Sequence, residues 1–310
     1  MTERGVRITG WGAALPEKIV TNADFEARLD TSDAWIVERT GIRERRMGGS
    51  SGSLALEAGQ RAIESAGVEP GSIDLLLLAT TTPDQVMPAT ASSVQGALGT
   101  TGGAVDMNAA CAGFVYALVA GAGMAAIGAE RVLVIGADVM SRITDQDDRG
   151  TAVLFGDGAG AVVLDAVDGP GDLLAWELGS DGSLRHLLYT DHGSFTVMDG
   201  KEVFRKAVRL MVDSCQATLA KAGVTPDDVS VFVPHQANTR IIDAACKRMG
   251  IPIEKAVLIL DRTGNTSAGS VPLALADAAD TGRLHDGDLV LLMGFGAGMS
   301  WATALLRWSR

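Results

Sequence analysis

The sequence contains no apolar run of about 18 residues, so no membrane-spanning helix and no membrane association are expected. Cysteine is scarce: Cys111, Cys215 and Cys246 are the three present. An odd, widely spaced set argues against a disulfide framework or a cysteine zinc site and suits the reducing cytoplasm. HExxH and CxxC are both absent, which leaves no metal site to expect. The start, Met1–Gly5, lacks a basic stretch leading into an apolar one, so no signal peptide is expected. Positive charge is in deficit, with 26 Lys and Arg against 38 Asp and Glu and a net charge of −12. Such a chain is a poor nucleic-acid ligand, and an acidic partner would need a local basic patch. Aromatics make up only 5% of the chain.

Hydrophobic residues make up 47% of the 310 residues, and there are 38 glycines, a composition for close helix–sheet packing. Apolar strands are predicted at Ile73–Ala79, Ala104–Met107, Arg131–Gly136, Val229–Val233 and Asp288–Met293. Helices are predicted at Leu54–Ala66, Ala112–Ile127, Lys201–Ala222, Asn238–Met249 and Ala268–Thr281. Strand–helix alternation of this kind implies a layered α/β fold. The chain also repeats itself. Ala66-Gly67-Val68 with Pro70 returns 156 residues later as Ala222-Gly223-Val224 with Pro226, and the same offset carries Cys111-Ala112-Gly113 onto Ser267-Ala268-Gly269. Two copies of one unit, divided as residues 1–168 and 169–310, predict a pseudo-twofold αβαβα sandwich whose helix-start loops face each other at its middle.

That middle is where chemistry is expected. Cys111 lies between an apolar strand and a long helix, where helix N–H groups and the helix dipole should lower a thiol pKa. A buried, inert thiol is the competing reading, and it is preferred for Cys215 and Cys246, which lie within amphipathic helices. His235 follows the strand Val229–Val233, and carboxyl ends of strands are where α/β sheets bind ligands. His186, His192 and His285 fall in polar stretches and are expected at the surface. Asn265 opens the helix that repeats the Cys111 helix; its cluster with Thr266 and Ser267 reads equally well as an N-cap. Gly294–Trp301 reads as a glycine-rich turn able to aim N–H groups at an oxyanion. Gly156–Gly160 resembles a phosphate loop, but strand-like residues follow it, so a hairpin turn is expected there.

Taken together, AACAGF around Cys111, VPHQAN around His235 and GNTSAGSVPLAL around Asn265 resemble the three signature motifs of the β-ketoacyl-acyl-carrier-protein (ACP) synthase III family. TSDAWI with RTGIR near the N-terminus, DRGT at 148–151 and FGDGAG at 155–160 are similar to that family as well. The resemblance spans nearly the whole chain and implies a duplicated thiolase-like fold. It implies that Cys111 takes an acyl group from acyl-CoA, with backbone N–H groups of Cys111 and Ala297 as the oxyanion hole. His235 and Asn265 would hold the enolate left when malonyl-ACP loses CO2, so no metal or other cofactor is required. By the same resemblance Trp35, Arg39, Arg149 and Asn238 bind coenzyme A. Met87 enters the acyl pocket of a partner subunit in a homodimer, and Arg205, Arg240, Lys247 and Arg248 dock the carrier protein. The chain departs from the family pattern at the short loop Met47–Ser53, at Met87, where a phenylalanine is common, and at Ala297, where a glycine is common.

The same residues distinguish other activities on this fold. An acyltransferase or thioesterase would not need both His235 and Asn265. A biosynthetic thiolase would carry a second cysteine between Phe295 and Trp301, where there is none. A silent partner subunit would lack Cys111.

Overall fold

The computed structural model describes residues 4–309. Two sheets form the frame. The first holds five strands in the order Arg4–Ala14, Asp157–Asp168, Arg131–Val139, Leu75–Ala79 and Gly103–Met107. The last three are mutually parallel, and the first two alternate in direction. The second holds Leu173–Ser180, Ser300–Arg307, Leu289–Gly296 and Val231–Pro234 in the same sequence of directions. A counterpart of Gly103–Met107 survives there only as a single parallel bridge between Phe232 and Ala256.

Helices fill the three remaining layers. Ser51–Ala66 and Thr90–Leu98 cover the outer face of the first sheet. Gly200–Ala222 and Thr239–Met249 cover the outer face of the second. Gly113–Ala126 and Ser270–Asp280 lie between the sheets, in one apolar core drawn from both halves. Their composition dictates this place: both are apolar on nearly every side, which suits a helix covered all round. Each fully buried Leu, Val or Phe there stabilises the fold by about 1.5–3 kcal/mol.

The repeat is literal in places. Ser51–Ala66 and Gly200–Ala222 both end on a glycine in the left-handed region, Gly67 at φ 67° and Gly223 at φ 69°. A one-turn 3-10 helix follows each, Pro70–Ser72 and Pro226–Asp228. At the turn carrying Cys111 the register differs from the sequence expectation by one residue. Among the described residues, the two non-glycine residues with positive φ are Ala110 (48°) and Ser267 (50°), each opening a 3-10 turn that leads into a central helix. The Asn108 side-chain oxygen accepts the Ala110 N–H at 3.1 Å, as that of Asn265 accepts the Ser267 N–H at 2.9 Å. Cys111 therefore mirrors Ala268, not Ser267; counted from the paired positions Leu76 and Phe232, the second half reaches its turn one residue later.

Predicted element cores agree with the observed ones, with ends displaced by at most three residues. One expectation fails. Gly156–Gly160 is no hairpin turn: Asp157–Asp168 runs as an inner strand paired on both edges. It is buried over Asp157–Leu164 because helices also cover both of its faces, and no polar turn signal survives in such a place.

The two turns reach the middle because glycine lies beneath each. A Cβ on Gly136 would overlap the Ala268 carbonyl oxygen, and one on Gly294 would stand 2.9 Å from the Ala112 Cα. Gly136→Ala is expected to cost about 1–3 kcal/mol through this overlap, read as a lower urea midpoint at unchanged slope; an unchanged midpoint would show that the turn moves aside freely.

Candidate active site

A cleft of about 690 Å³, counted with the solvent at its mouth, opens where the two halves meet. Cys111, His235 and Asn265 all line it, with Phe295 and Gly296 on the floor. Sequence reasoning did not anticipate the rest of its wall: Leu154 and Phe155, Val203 and Phe204, and Leu188 and Met198. The last two belong to a small hairpin, Leu188–Tyr189 against Val197–Met198, whose two-residue strands are too short to read from a pattern.

Cys111 sits in the Ala110–Ala112 turn and is 9% exposed. The expected lowering of its pKa does not occur. Burial pushes the thiol up to about 12, against a pull from the Ser267 hydroxyl beside it, and the Asp138 charge adds to the rise. Burial dominates because the turn is closed over by both halves.

His235 follows Val231–Pro234 and continues its ladder, donating its N–H to the Met293 carbonyl at 2.7 Å. The next residue, Gln236, fixes the loop: its side chain donates to the carbonyls of Pro234 and Val257 and accepts the N–H groups of Ile259 and Leu260. The His235 ring meets Phe295 edge-on, with centroids 5.2 Å apart, and Nδ1 has no partner. Burial lowers its pKa to about 3, so the imidazole is neutral. Asn265 is clamped to the first half by two backbone bonds, to the Leu154 carbonyl (2.9 Å) and from the Gly156 N–H (3.0 Å). Its side-chain oxygen is taken by the Ser267 N–H, which leaves Nδ2 as its available donor. The cleft thus brings together a neutral thiol, a neutral imidazole and an amide donor. Among the described residues no cluster of His, Cys, Asp and Glu is arranged to hold a metal.

The other candidate residues surround this centre. Trp35 lies between Arg39 and Arg149, each guanidinium 5.0 Å from its ring. Arg149 also donates to the Asp30 carbonyl. Asn238 lines the cleft, yet its amide is engaged at both ends, accepting the Arg240 N–H and donating to the Arg39 carbonyl. Arg205, Arg240, Lys247 and Arg248 are exposed on Gly200–Ala222 and Thr239–Met249. Arg240 covers Phe204 at the cleft wall, while Arg205 pairs with Glu202 and Lys247 with Asp243. Met87 and Val86 stand out from the surface, 85% and 95% exposed. Ala297 opens the turn directly after Gly296. His186, His192 and His285 are exposed, and Cys215 and Cys246 are buried in their helices.

Two α/β halves sharing a central helical layer, with Cys111, His235 and Asn265 on the cleft where they meet, make this a condensing-enzyme scaffold of the thiolase class. Comparison with known proteins narrows the class. The family described as 3-Oxoacyl-[acyl-carrier-protein (ACP)] synthase III matches residues 105–182, and its C-terminal counterpart matches residues 219–308. The β-ketoacyl-ACP synthase III of Erythrobacter litoralis is 50% identical across 97% of this chain and 98% of its own length. The crystal structure of 3-oxoacyl-ACP synthase III from Aquifex aeolicus superposes with a TM-score of 0.96 at 44% identity, covering 98% of this chain and 100% of that one. The priming β-ketosynthase of the R1128 polyketide pathway superposes with a TM-score of 0.95 at 37% identity, covering 99% and 98%. The chain belongs to the 3-oxoacyl-ACP synthase III family.

Neutral burial of His235 has a pH signature. Its pKa falls on folding, so its contribution to stability is complete above about pH 6.5 and is lost as the pH falls toward about 3. Between pH 6.5 and 4.5 the wild type is expected to lose up to about 1.4 kcal/mol per pH unit more than a His235→Leu variant. Urea midpoints across that range check this, and parallel slopes for the two proteins would contradict a buried neutral histidine.

Proposed function

We propose that this enzyme joins an acyl group, carried from acyl-CoA on Cys111, to malonyl-ACP with loss of CO2, giving a 3-oxoacyl-ACP that primes fatty-acid or polyketide synthesis. The observation that carries the proposal is the convergence of the Cys111 thiol with two neutral donor groups, His235 and Asn265, on one cleft. Neutral donors suit an enolate oxygen, because they stabilise developing negative charge without being consumed as acids.

In the loading step Cys111 Sγ bonds to the thioester carbonyl carbon, the bond to coenzyme A sulfur breaks, and the thiol proton ends on that sulfur. The N–H groups of Cys111 and Ala297 hold the oxyanion. In the second step the malonyl carboxylate departs as CO2. Its electron pair passes to an enolate held by the imidazole N–H of His235 and Nδ2 of Asn265. The enolate carbon attacks the acyl carbonyl, the bond to Cys111 breaks, and the thiolate takes a proton from solvent. Both steps balance without a cofactor.

Around the centre, Trp35 with Arg39 and Arg149 supplies a flat cationic surface for the nucleotide of coenzyme A, and the Asn238 loop borders its pantetheine arm. Arg205, Arg240, Lys247 and Arg248 give the acidic chain a basic face for a carrier protein. The strand Gly103–Met107 has one free edge with Val105 exposed, and Val86 and Met87 project as well; a second copy of the chain is the partner that would cover them and receive Met87. Three unpaired buried thiols suit the reducing cytoplasm.

Intact-mass spectrometry of the protein with a panel of acyl-CoAs, then malonyl-ACP, tests the reaction. One acyl group is expected on Cys111, discharged as 3-oxoacyl-ACP. Cys111→Ala should take up none, whereas His235→Ala and Asn265→Ala should still load and should condense about 10²–10³-fold more slowly. Discharge as free acid or simple ester would replace condensation by acyl transfer. Charge reversal at Arg240 or Arg248 should raise KM for malonyl-ACP several-fold and leave loading from acyl-CoA unchanged; equal effects on both substrates would remove these residues from docking.

A further inference from the structure

Asp138 has no part in the chemistry described above, yet it ends the inner strand Arg131–Val139 with no solvent exposure. A carboxylate is costly to bury unless donors replace its water. Here they do. One oxygen accepts from the Thr80 hydroxyl (3.0 Å), from the N–H and hydroxyl of Thr81 (2.7 and 3.0 Å) and from the N–H and hydroxyl of Thr82 (3.0 and 2.8 Å). The other oxygen accepts the N–H of Ala268 at 3.0 Å. None of these donors is a cation, so the site is built to hold an anion with hydrogen bonds alone.

The internal repeat identifies that site. Leu75 pairs with Val132 in the first sheet as Val231 pairs with Val290 in the second. Carried along the strand, this register places Gly296 opposite Asp138 in the mirror half. The turns place Cys111 opposite Ala268, since Ala110 and Ser267 share the positive φ. In one half, then, a carboxylate meets the Ala268 N–H. In the other, Gly296 meets the Cys111 N–H with no side chain, and a Cβ there would stand 2.6 Å from that nitrogen. The same backbone donor is filled on one side and left open on the other, where an oxyanion forms during the reaction.

We propose that Asp138 is a carboxylate seated in the mirror image of the oxyanion hole, and that it acts as a positioning residue for condensation. By holding the Ala268 N–H it fixes the Asn265–Ala268 turn against the Thr80–Thr82 loop and so sets Asn265 relative to Cys111. The inference rests on the condensing function proposed above. The Asp138 charge also faces the Cys111 thiol, with Asp157 behind it and His235 neutral across the cleft, and so helps keep the resting thiol protonated. Nothing in this role touches substrate, which is why loading and condensation should respond differently.

The experiment compares wild type and Asp138→Asn in the full chain. The variant keeps the size of the side chain and an oxygen for the threonines, but turns an N–H donor toward the Ala268 N–H. Loading of Cys111 from acyl-CoA is expected to stay near the wild-type rate, while discharge by malonyl-ACP slows by about 10- to 100-fold, the scale of a small displacement of a reacting group. Iodoacetamide alkylation of Cys111 in the free enzyme is expected to shift to lower pH. Equal slowing of both steps, or an unchanged discharge rate, or an unshifted alkylation profile overturns the proposal. Should Asp138→Asn not fold by thermal melting, Thr81→Val removes one of the carboxylate's donors at a half-buried position. It should slow discharge and spare loading, and equal effects on the two overturn the proposal in the same way. If the wild type itself is not discharged by malonyl-ACP, the condensing function fails on its own terms, and the alkylation profile, which uses no substrate, still decides what Asp138 does.

Discussion

Two backbone turns meet at the centre of this molecule, and most of its architecture serves to let them. One carries Cys111 and the other Asn265 and Ser267, and each is pressed against the end of a strand from the opposite half. Contact that close is possible only where the strand has no Cβ, at Gly136 beneath one turn and Gly294 beneath the other. The strand ends, the helices that start from the turns and the loops carrying His235 and Thr80–Thr82 are then placed with little freedom. Packing at crystal-like density transmits that restriction through the shared central layer.

The electrostatic character of the site follows from the same burial. A thiol at a helix start is ordinarily favoured as thiolate, and a histidine at a strand end ordinarily titrates near neutrality. Here both are desolvated and both are held neutral, the thiol pushed up to about 12 and the imidazole down to about 3. A centre of neutral donors is suited to negative charge that appears only during reaction, since no fixed cation lowers the energy of the resting state. The buried carboxylate of Asp138 nearby is held by six donors from backbone and threonine hydroxyls.

Much of the fold was legible in the chain because its signals are local. Apolar runs such as Leu75–Ala79 form inner strands, all-apolar helices such as Gly113–Ala126 lie between the sheets, and the recurring Ala-Gly-Val marks left-handed caps. The duplication was visible for the same reason, although the offset slipped by one residue at the turn carrying Cys111, where alanine and serine had to adopt a backbone conformation that composition does not announce. Gly156–Gly160 misled because a strand covered on every side carries no alternation to distinguish it from a turn.

The sequence by itself determined which residues are available for chemistry: one cysteine at a strand-to-helix junction, one histidine at a strand end and one asparagine at the mirrored junction. These follow from short-range pattern and from the motifs that surround them. What the tertiary structure decided is their state and their company. Whether Cys111 is a thiolate or a thiol depends on how much water both halves exclude. Whether Asp138 is a surface charge or a buried anion depends on three threonines some 57 residues away and an N–H another 130 residues on. Solvation and long-range hydrogen bonding are properties of the assembled interior, and no window of sequence contains both sides of it.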